Sequence, residues 1–477
     1  MTQVPNIAEQ IETILGEDRA PLPPQRNVGE YEPRTTYGDL RPASVDEVRA
    51  IVRRFSESPD APQLYAVSTG RNWGLGSKES ATDGATRIEL SGLGTIRQID
   101  LEHGWAVIEP GVTQLDLATR LTDTSRMLNV TASSGHTSIL GNALDRGVGL
   151  YGPKIDDLLG LEVVLPTGEA IRSGWWPRDD GVATPLNTHG LGASHLGLFS
   201  QSNLGIVTAG IIRLHPRPSA RRTLSLTFAE RDYSTAVDAL RGIALNGLNR
   251  GVIKIYDDVS NQSYGGAAGT FTALLNVEGT PETVEAVSKV VRAELESSGA
   301  FASYTDSTDG TLRGDTVFDV VDAAFSGDPS HNERMLRAAV GAEAEDVDEH
   351  GGGWLFFLPY VPFDGSSVMH ARELLAQVRA ETGVECGSTV NALNPDVIDL
   401  VVTIRFARTA EAAERAHKAL DRLYELFIEA GFPPYRLDVD HATTTDSTAA
   451  SPASVDLKRQ LKAVLDPHSL IAPGRYA

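Results

Sequence analysis

Apolar positions set the first pattern along the chain. Val45, Val48, Ile51, Val52 and Phe55 recur at three- and four-residue spacing and predict a helix, opened by the capping box Ser44-Val-Asp-Glu47. Residues 7–15 carry a shorter stripe of the same kind. Short β-rich runs follow at Leu64–Val67, Thr86–Leu90, Ile96–Asp100 and Ala106–Glu109. Thr113 and Asp116 cap a helix through Leu121. Leu161–Leu165 and Ala170–Ser173 flank the turn Pro166-Thr-Gly168 and predict a hairpin, and Ala209–Leu214 alternates as a strand does.

The pattern changes after Pro218. Strands are predicted at 222–228, 252–256, 270–277, 354–360 and 399–406, with helices between them. Thr280 caps one helix, whose apolar face is Val284, Val287, Val290, Val291 and Leu295; others run over 366–381 and 409–429. Such alternation suits a sheet with helices on one face. After Pro433-Pro434 a tail carries Tyr435-Arg436 and a last amphipathic helix, Val455–Leu465. The expected division is 1–217, 218–433 and 434–477.

Composition narrows the function classes. A formal net charge of −22 argues against nucleic-acid phosphates and anionic membrane surfaces as partners. Cys386 is the only cysteine, so no intrachain disulfide forms. No apolar run reaches membrane-spanning length, and the N-terminal residues show no leader pattern, so a cytoplasmic location is expected. The histidines are scattered and imply no metal site.

Two dense stretches carry candidate chemistry. The first follows the strand Leu64–Val67 and reads Ser68-Thr69-Gly70-Arg71-Asn72-Trp73-Gly74-Leu75-Gly76-Ser77. Its glycines let backbone approach a ligand, and its N–H groups and short polar side chains suit a phosphate or pyrophosphate. Read alone, it also fits an ordinary Gly-rich surface loop. The second, 131–150, holds four glycines among small side chains, which implies backbone packed close to something.

Together these stretches resemble the FAD-binding flavoproteins of the vanillyl-alcohol oxidase and p-cresol methylhydroxylase family. The matching motifs are Ser68–Gly76, Glu109-Pro-Gly-Val-Thr113, Leu140–Gly149, Gly160–Leu165, Phe199–Thr208 and Asp466–Gly474, in family order. The resemblance implies an α+β fold. A two-subdomain FAD-binding domain of the p-cresol methylhydroxylase type would be completed by the tail, with an inserted α/β cap of antiparallel sheet and helices. It implies that the 68–77 loop holds the FAD pyrophosphate. Pro110 and Gly111, Ser133, Ser134 and Gly135, Gly141 and Asn142, Arg146 and Gly147, and Gly205, Ile206 and Val207 would line the rest of the cofactor. Arg475 would lie near the flavin ring, or remain a solvated terminal arginine.

The chain departs from the family at informative places. The loop position that carries a flavin-linking His in some relatives is Asn72, and the cap strand Ile398–Arg405 offers neither His nor Tyr. Non-covalent FAD is therefore expected. Of the phenolate-binding residues, Tyr435 and Arg436 match, while the other Tyr falls at Leu75 and a family Asp falls at Ser133. Candidate catalytic residues are His136, as a general base or a histidine bonded within its loop, and Tyr435 and Arg436, as substrate anchors or a local ion pair with Asp438 or Asp440.

The expected activity is an FAD-dependent oxidoreductase. It would take a hydride from an alcohol, an amine or an activated benzylic carbon, and O2 or another acceptor would reoxidise the flavin. The alternatives are a para-substituted phenol oxidase with a rearranged pocket, a redox-neutral FAD-dependent cyclase or lyase, and a flavin-free binding module. The expected partners are a small-molecule substrate and an electron acceptor, with a homodimer possible.

Overall fold

The computed structural model describes residues 6–16, 20–23, 25–76, 78–177, 187–445, 448 and 451–476. The N-terminal part holds two sheets. Thr36–Leu40, Ala85–Glu89 and Gln63–Val67 pair in parallel, in that order, against the predicted helix, which spans Val45–Ser56. Val48, Ile51, Val52 and Phe55 bury its stripe in the same cluster as Leu64 and Ile88. The second sheet is antiparallel, ordered Ala170–Gly174, Leu158–Val164, Ile206–Arg213, Trp105–Ile108 and Ile96–Asp100. The predicted hairpin is its first pair.

The segment after Pro218 forms most of an eight-stranded antiparallel sheet, the cap sheet. Its order is Ser303–Asp306, Ala220–Phe228, Phe271–Gly279, Ile253–Tyr256, Cys386–Ala392, Val397–Phe406, Gly353–Pro362 and Pro434–Arg436. Side chains alternate across it with period two. Ile253, Ile255, Val390, Ile398, Leu400, Val402, Ile404, Leu355, Phe357 and Val361 face the helices Tyr233–Leu245, Gly365–Thr382 and Ala410–Glu429 in one apolar cluster. The opposite parity, including Lys254, Asn391, Asp399 and Trp354, faces the N-terminal part.

Two features cross the expected divisions. The first residues of the tail, Pro434–Arg436, pair with the cap-sheet edge at Leu358 and Pro359. Farther on, the Leu64 N–H donates to Leu470 O (2.7 Å) and the Ala472 N–H to Leu64 O (2.6 Å), so the tail also joins the parallel sheet. The helix Thr316–Phe325, which lies inside the insertion, buries Phe318, Val321 and Phe325 in the core of the antiparallel N-terminal sheet. The sheet interfaces interlock the two parts.

Phe357 tests the cap core. It is fully buried, with the Tyr424 ring at 4.9 Å and the Phe427 ring at 5.2 Å. Phe357→Ala is expected to cost about 3–5 kcal/mol in denaturant unfolding. A loss below about 1 kcal/mol would mean that the cap core does not depend on this packing.

Candidate functional site

A cavity of about 440 Å3 lies between the cap sheet and the N-terminal part. Its floor begins at the loop after the strand Gln63–Val67, where Ser68, Thr69, Gly70, Arg71, Asn72 and Trp73 all line it. Gly70 holds a left-handed backbone (φ +63°), a conformation that glycine adopts without a Cβ clash. The other two glycines of the loop serve packing. A Cβ on Gly74 would lie 2.3 Å from the Phe356 ring of the cap, and one on Gly76 would lie 2.7 Å from Val439 of the tail. Leu75 is buried behind the loop, its carbonyl accepting from the Val439 N–H. Ser77 lies outside the described residues.

The floor continues through Pro110, Ser133, Gly141, Asn142, Gly205, Ile206 and Val207, all on the cavity. Gly141 sits on the short helix Ile139–Leu144, and a Cβ there would lie 2.3 Å from Ser68 Oγ. Ser138 caps that helix, its Oγ accepting from the Gly141 N–H (3.0 Å).

Several expected lining residues stand behind the wall. The Gly111 N–H donates to Leu93 O, and a Cβ there would meet Ser91 O at 2.4 Å. Ser134 Oγ and the Gly135 N–H both donate to Glu333 Oε1 at 2.8 Å, which turns this corner toward the helix Asn332–Val340. His136 shares that corner, its backbone N–H on Ser134 Oγ, and does not line the cavity. Its expected role as a base lacks the necessary placement. Arg146 is exposed, with its Nε on Ser200 Oγ (3.5 Å), and Gly147 packs on the Asn142 side chain.

The roof is the second face of the cap sheet. Lys254 is paired in register with Asn391, Asn391 with Asp399, and Asp399 with Tyr360. These four side chains form one row across four neighbouring strands, and the first three line the cavity. Lys254 Nζ donates to Asn391 Oδ1, and Asn391 Nδ2 donates to Asp399 Oδ2 (3.1 Å). Burial pushes the Lys254 ammonium down to about 8, against the pull of Asp399. Burial pushes the Asp399 carboxyl up to about 6, opposed by hydrogen bonding from Asn391 and Tyr435 and by the Lys254 and Arg436 charges. Asp399 and Trp354 both line the cavity, and Asp399 Oδ1 and Trp354 Nε1 are buried without a hydrogen-bond partner of good geometry.

Tyr435 and Arg436 complete the polar end. The Tyr435 ring stacks on Tyr360 at 4.5 Å, and burial holds its phenol neutral, far above its ordinary range. Arg436 pairs with Asp145, through Nη2 at 2.6 Å and Nε at 3.1 Å, rather than with Asp438 or Asp440. Asp438 is engaged by His441, whose ring stacks on Tyr424. Asp145 also accepts from the Tyr476 hydroxyl (2.5 Å) and from Asn72 Nδ2 (3.2 Å). Burial pushes the Asp145 carboxyl up, but the Arg436 and Arg475 charges and the Tyr476 hydroxyl outweigh it and hold the group below its usual range. Arg475 lines the cavity as expected. Cys386 is buried, and burial pushes its thiol up to about 12, so it stays protonated and inert.

Sequence reasoning missed Lys254, Asn391, Asp399 and Tyr476. The available signal was a lone charge at an alternating position of an apolar strand, in Ile253-Lys-Ile-Tyr256 and Ile398-Asp-Leu-Val-Val402.

Comparison with known proteins agrees with the floor. Residues 38–174 match the family model described as "FAD binding domain". The chain is 28% identical to 1'-carboxy-chondrochloren decarboxylase of Chondromyces crocatus, over 92% of this chain and 90% of the relative. It is 26% identical to the 4-cresol dehydrogenase [hydroxylating] flavoprotein subunit of Pseudomonas putida, over 91% and 86%. In fold it is similar to p-cresol methylhydroxylase with substrate bound, with a TM-score of 0.86, 22% identity and 98% and 96% coverage. The residues present fit FAD. A small-residue loop leaves room for a pyrophosphate, with Gly141 letting its helix pack closely on Ser68, and Leu140, Ile206 and Val207 offer apolar contact. Among the described residues no helix is long and apolar enough to cross a membrane, and no group of three or more His, Cys, Asp or Glu could hold a metal.

Gly141→Val places a branched side chain against Ser68 at the centre of the floor. A loss of FAD affinity of about 100-fold or more is expected in titrations of the apoprotein, with far-UV circular dichroism unchanged. Wild-type affinity in the folded variant would remove Gly141 from the cofactor cradle.

Proposed function

Because this chain belongs to the FAD-linked oxidoreductases with a p-cresol methylhydroxylase-type FAD-binding domain, we propose that its cavity oxidises a small alcohol, amine or activated benzylic carbon. The observation that carries this reading is the placement of Tyr435 and Arg436 at the polar end of the cavity floored by Ser68–Trp73. In the proposal that loop holds the FAD pyrophosphate, with Pro110, Ser133, Gly141, Asn142 and Gly205–Val207 along the rest of the cofactor and Arg475 toward its ring. Bound FAD supplies a two-electron acceptor for hydride, regenerated by O2 or another acceptor.

The protein's own contribution is placement and charge. The Tyr435 phenol, neutral through burial, turns its hydroxyl from Asp399 to the substrate oxygen and orients the carbon beside it. Arg436 is fixed by two bonds to Asp145 and adds a rigid positive field without free movement. The apolar members of the roof, Trp354, Phe356, Leu358 and Val401, exclude water from the reacting end. Non-covalent attachment is supported by Asn72, which is engaged with Asp145 at the loop position where some relatives carry a linking His.

One observation favours a second reading, oxidation of a para-substituted phenol. Tyr360 of the cap stacks on Tyr435 and feels the Arg436 charge, so a second phenol lies close behind the first. The relative from Pseudomonas putida is named for 4-cresol.

The test is anaerobic mixing of FAD-loaded protein with benzyl alcohol, 4-hydroxybenzyl alcohol, 4-cresol and benzylamine. Bleaching of the flavin by at least one probe is expected, with a rate about 10–100-fold lower in Tyr435→Phe at equal FAD content. A preference for the two phenols would select the second reading. Tightly bound FAD that no probe bleaches would point to redox-neutral chemistry.

A further inference from the structure

The cap roof holds a charged row whose acid, Asp399, is held by Asn391 through one oxygen and meets Tyr435 only with imperfect geometry. Resting on the oxidoreductase reading, we propose that Asp399 accepts the proton from the substrate's hydroxyl or amine, with Lys254 and Asn391 as positioning residues that keep it available.

The geometry carries the assignment. Asp399 sits at an outward-alternating position of the strand Val397–Phe406 and is 1% exposed. Its Oδ2 is held by Asn391, whereas Oδ1 is buried without a partner of good geometry in a residue that lines the cavity. Buried polar atoms are rarely left so, and beside a cavity a ligand can supply the partner. Asn391 supplies the spacing. Its amide presents oxygen to Lys254 and nitrogen to Asp399, so the ammonium and the carboxylate lie two bonds of a hydrogen-bonded row apart and do not neutralise each other in a direct pair.

The groups around Asp399 agree with that role. Lys254 and Asn391 face it along the row, Tyr360 stands opposite it on the next strand, and Tyr435 and Arg436 reach it from the tail strand. Arg436 is already committed to Asp145. Tyr435, which bonds the Asp399 carboxylate, also stands beside the place proposed for the substrate oxygen. The carboxyl titrating at about 6 is mostly ionised at neutral pH and still basic enough to take a proton. His136, a candidate base from sequence, does not line the cavity.

For an alcohol the balance is simple. The substrate O–H bond breaks and an O–H bond forms on Asp399 Oδ1. The electron pair left on oxygen becomes the second bond of the carbonyl, while the hydrogen on carbon leaves with its pair to the flavin. The substrate is oxidised by two electrons, the flavin is reduced by two, and one proton stays on the protein.

The experiment uses FAD-loaded protein, with benzyl alcohol, 4-hydroxybenzyl alcohol and benzylamine as probes. Infrared difference spectra are recorded across pH for wild type, Asp399→Asn, Asp399→Glu and Lys254→Met, alongside the pH profile of anaerobic flavin reduction. A carboxyl band titrating near pH 6, absent in Asp399→Asn and displaced by benzyl alcohol, is expected. The reduction rate should rise with pH through the same midpoint, fall about 100-fold and lose this limb in Asp399→Asn, and regain it in Asp399→Glu. Loss of the cation in Lys254→Met should raise the midpoint by about one pH unit, a tenfold change in proton affinity. A band indifferent to the probe, or an Asp399→Asn profile like that of wild type, would overturn the proposal. If no probe reduces the flavin and yet the band responds to benzyl alcohol, the oxidoreductase reading fails while Asp399 stands as the ligand-facing acid-base group.

Discussion

Much of the structure turns on the carboxylate of Asp145. It ends the short helix Ile139–Leu144 in the cavity floor and receives Arg436 from the cap-sheet edge, Tyr476 from the tail and Asn72 from the glycine loop. Four segments distant in sequence meet on one acid. A largely buried carboxylate is costly unless its lone pairs are used, and here cation and hydroxyl donors use them. The same bonds fix Arg436 in place and join floor, roof and tail around one space.

The cap sheet explains why that space has a polar end. A strand that covers a core on one face and a ligand on the other must obey two patterns at once. In Val397–Phe406 the even positions Ile398, Leu400, Val402 and Ile404 are apolar and pack under helices, while Asp399, Val401 and Thr403 look into the cavity. Register then does the assembly, because in-register pairing aligns single polar residues of separate strands into one row. The roof chemistry is thus a consequence of strand order, which no local motif contains.

This division accounts for what was legible in the chain. The helix after Ser44 and those after Thr113 and Thr280 announce themselves by caps and periodic stripes, and the observed caps are those side chains. The floor loops were legible because their small residues are contiguous. Cys386–Ala392 was missed as a strand because Cys-Gly-Ser-Thr carries little apolar alternation, and with it went the neighbour that links Lys254 to Asp399. The glycines at 74 and 76 were read as ligand-facing, yet they make room for Phe356 and Val439, since close approach looks the same in sequence whether the neighbour is a cofactor or a side chain. Arg436 found its partner at Asp145, a pairing 291 residues apart that proximity in the tail could not suggest.

The claim beneath all of this is that the cavity between the Ser68–Trp73 loop and the cap sheet is a flavin site held by non-covalent contacts. The most direct measurement is the visible spectrum of the purified, FAD-reconstituted protein before and after acid precipitation. A flavin spectrum whose colour passes wholly into the supernatant is the expected result. Colour retained in the pellet would contradict the non-covalent attachment, and a folded protein that takes up no FAD would contradict the site itself.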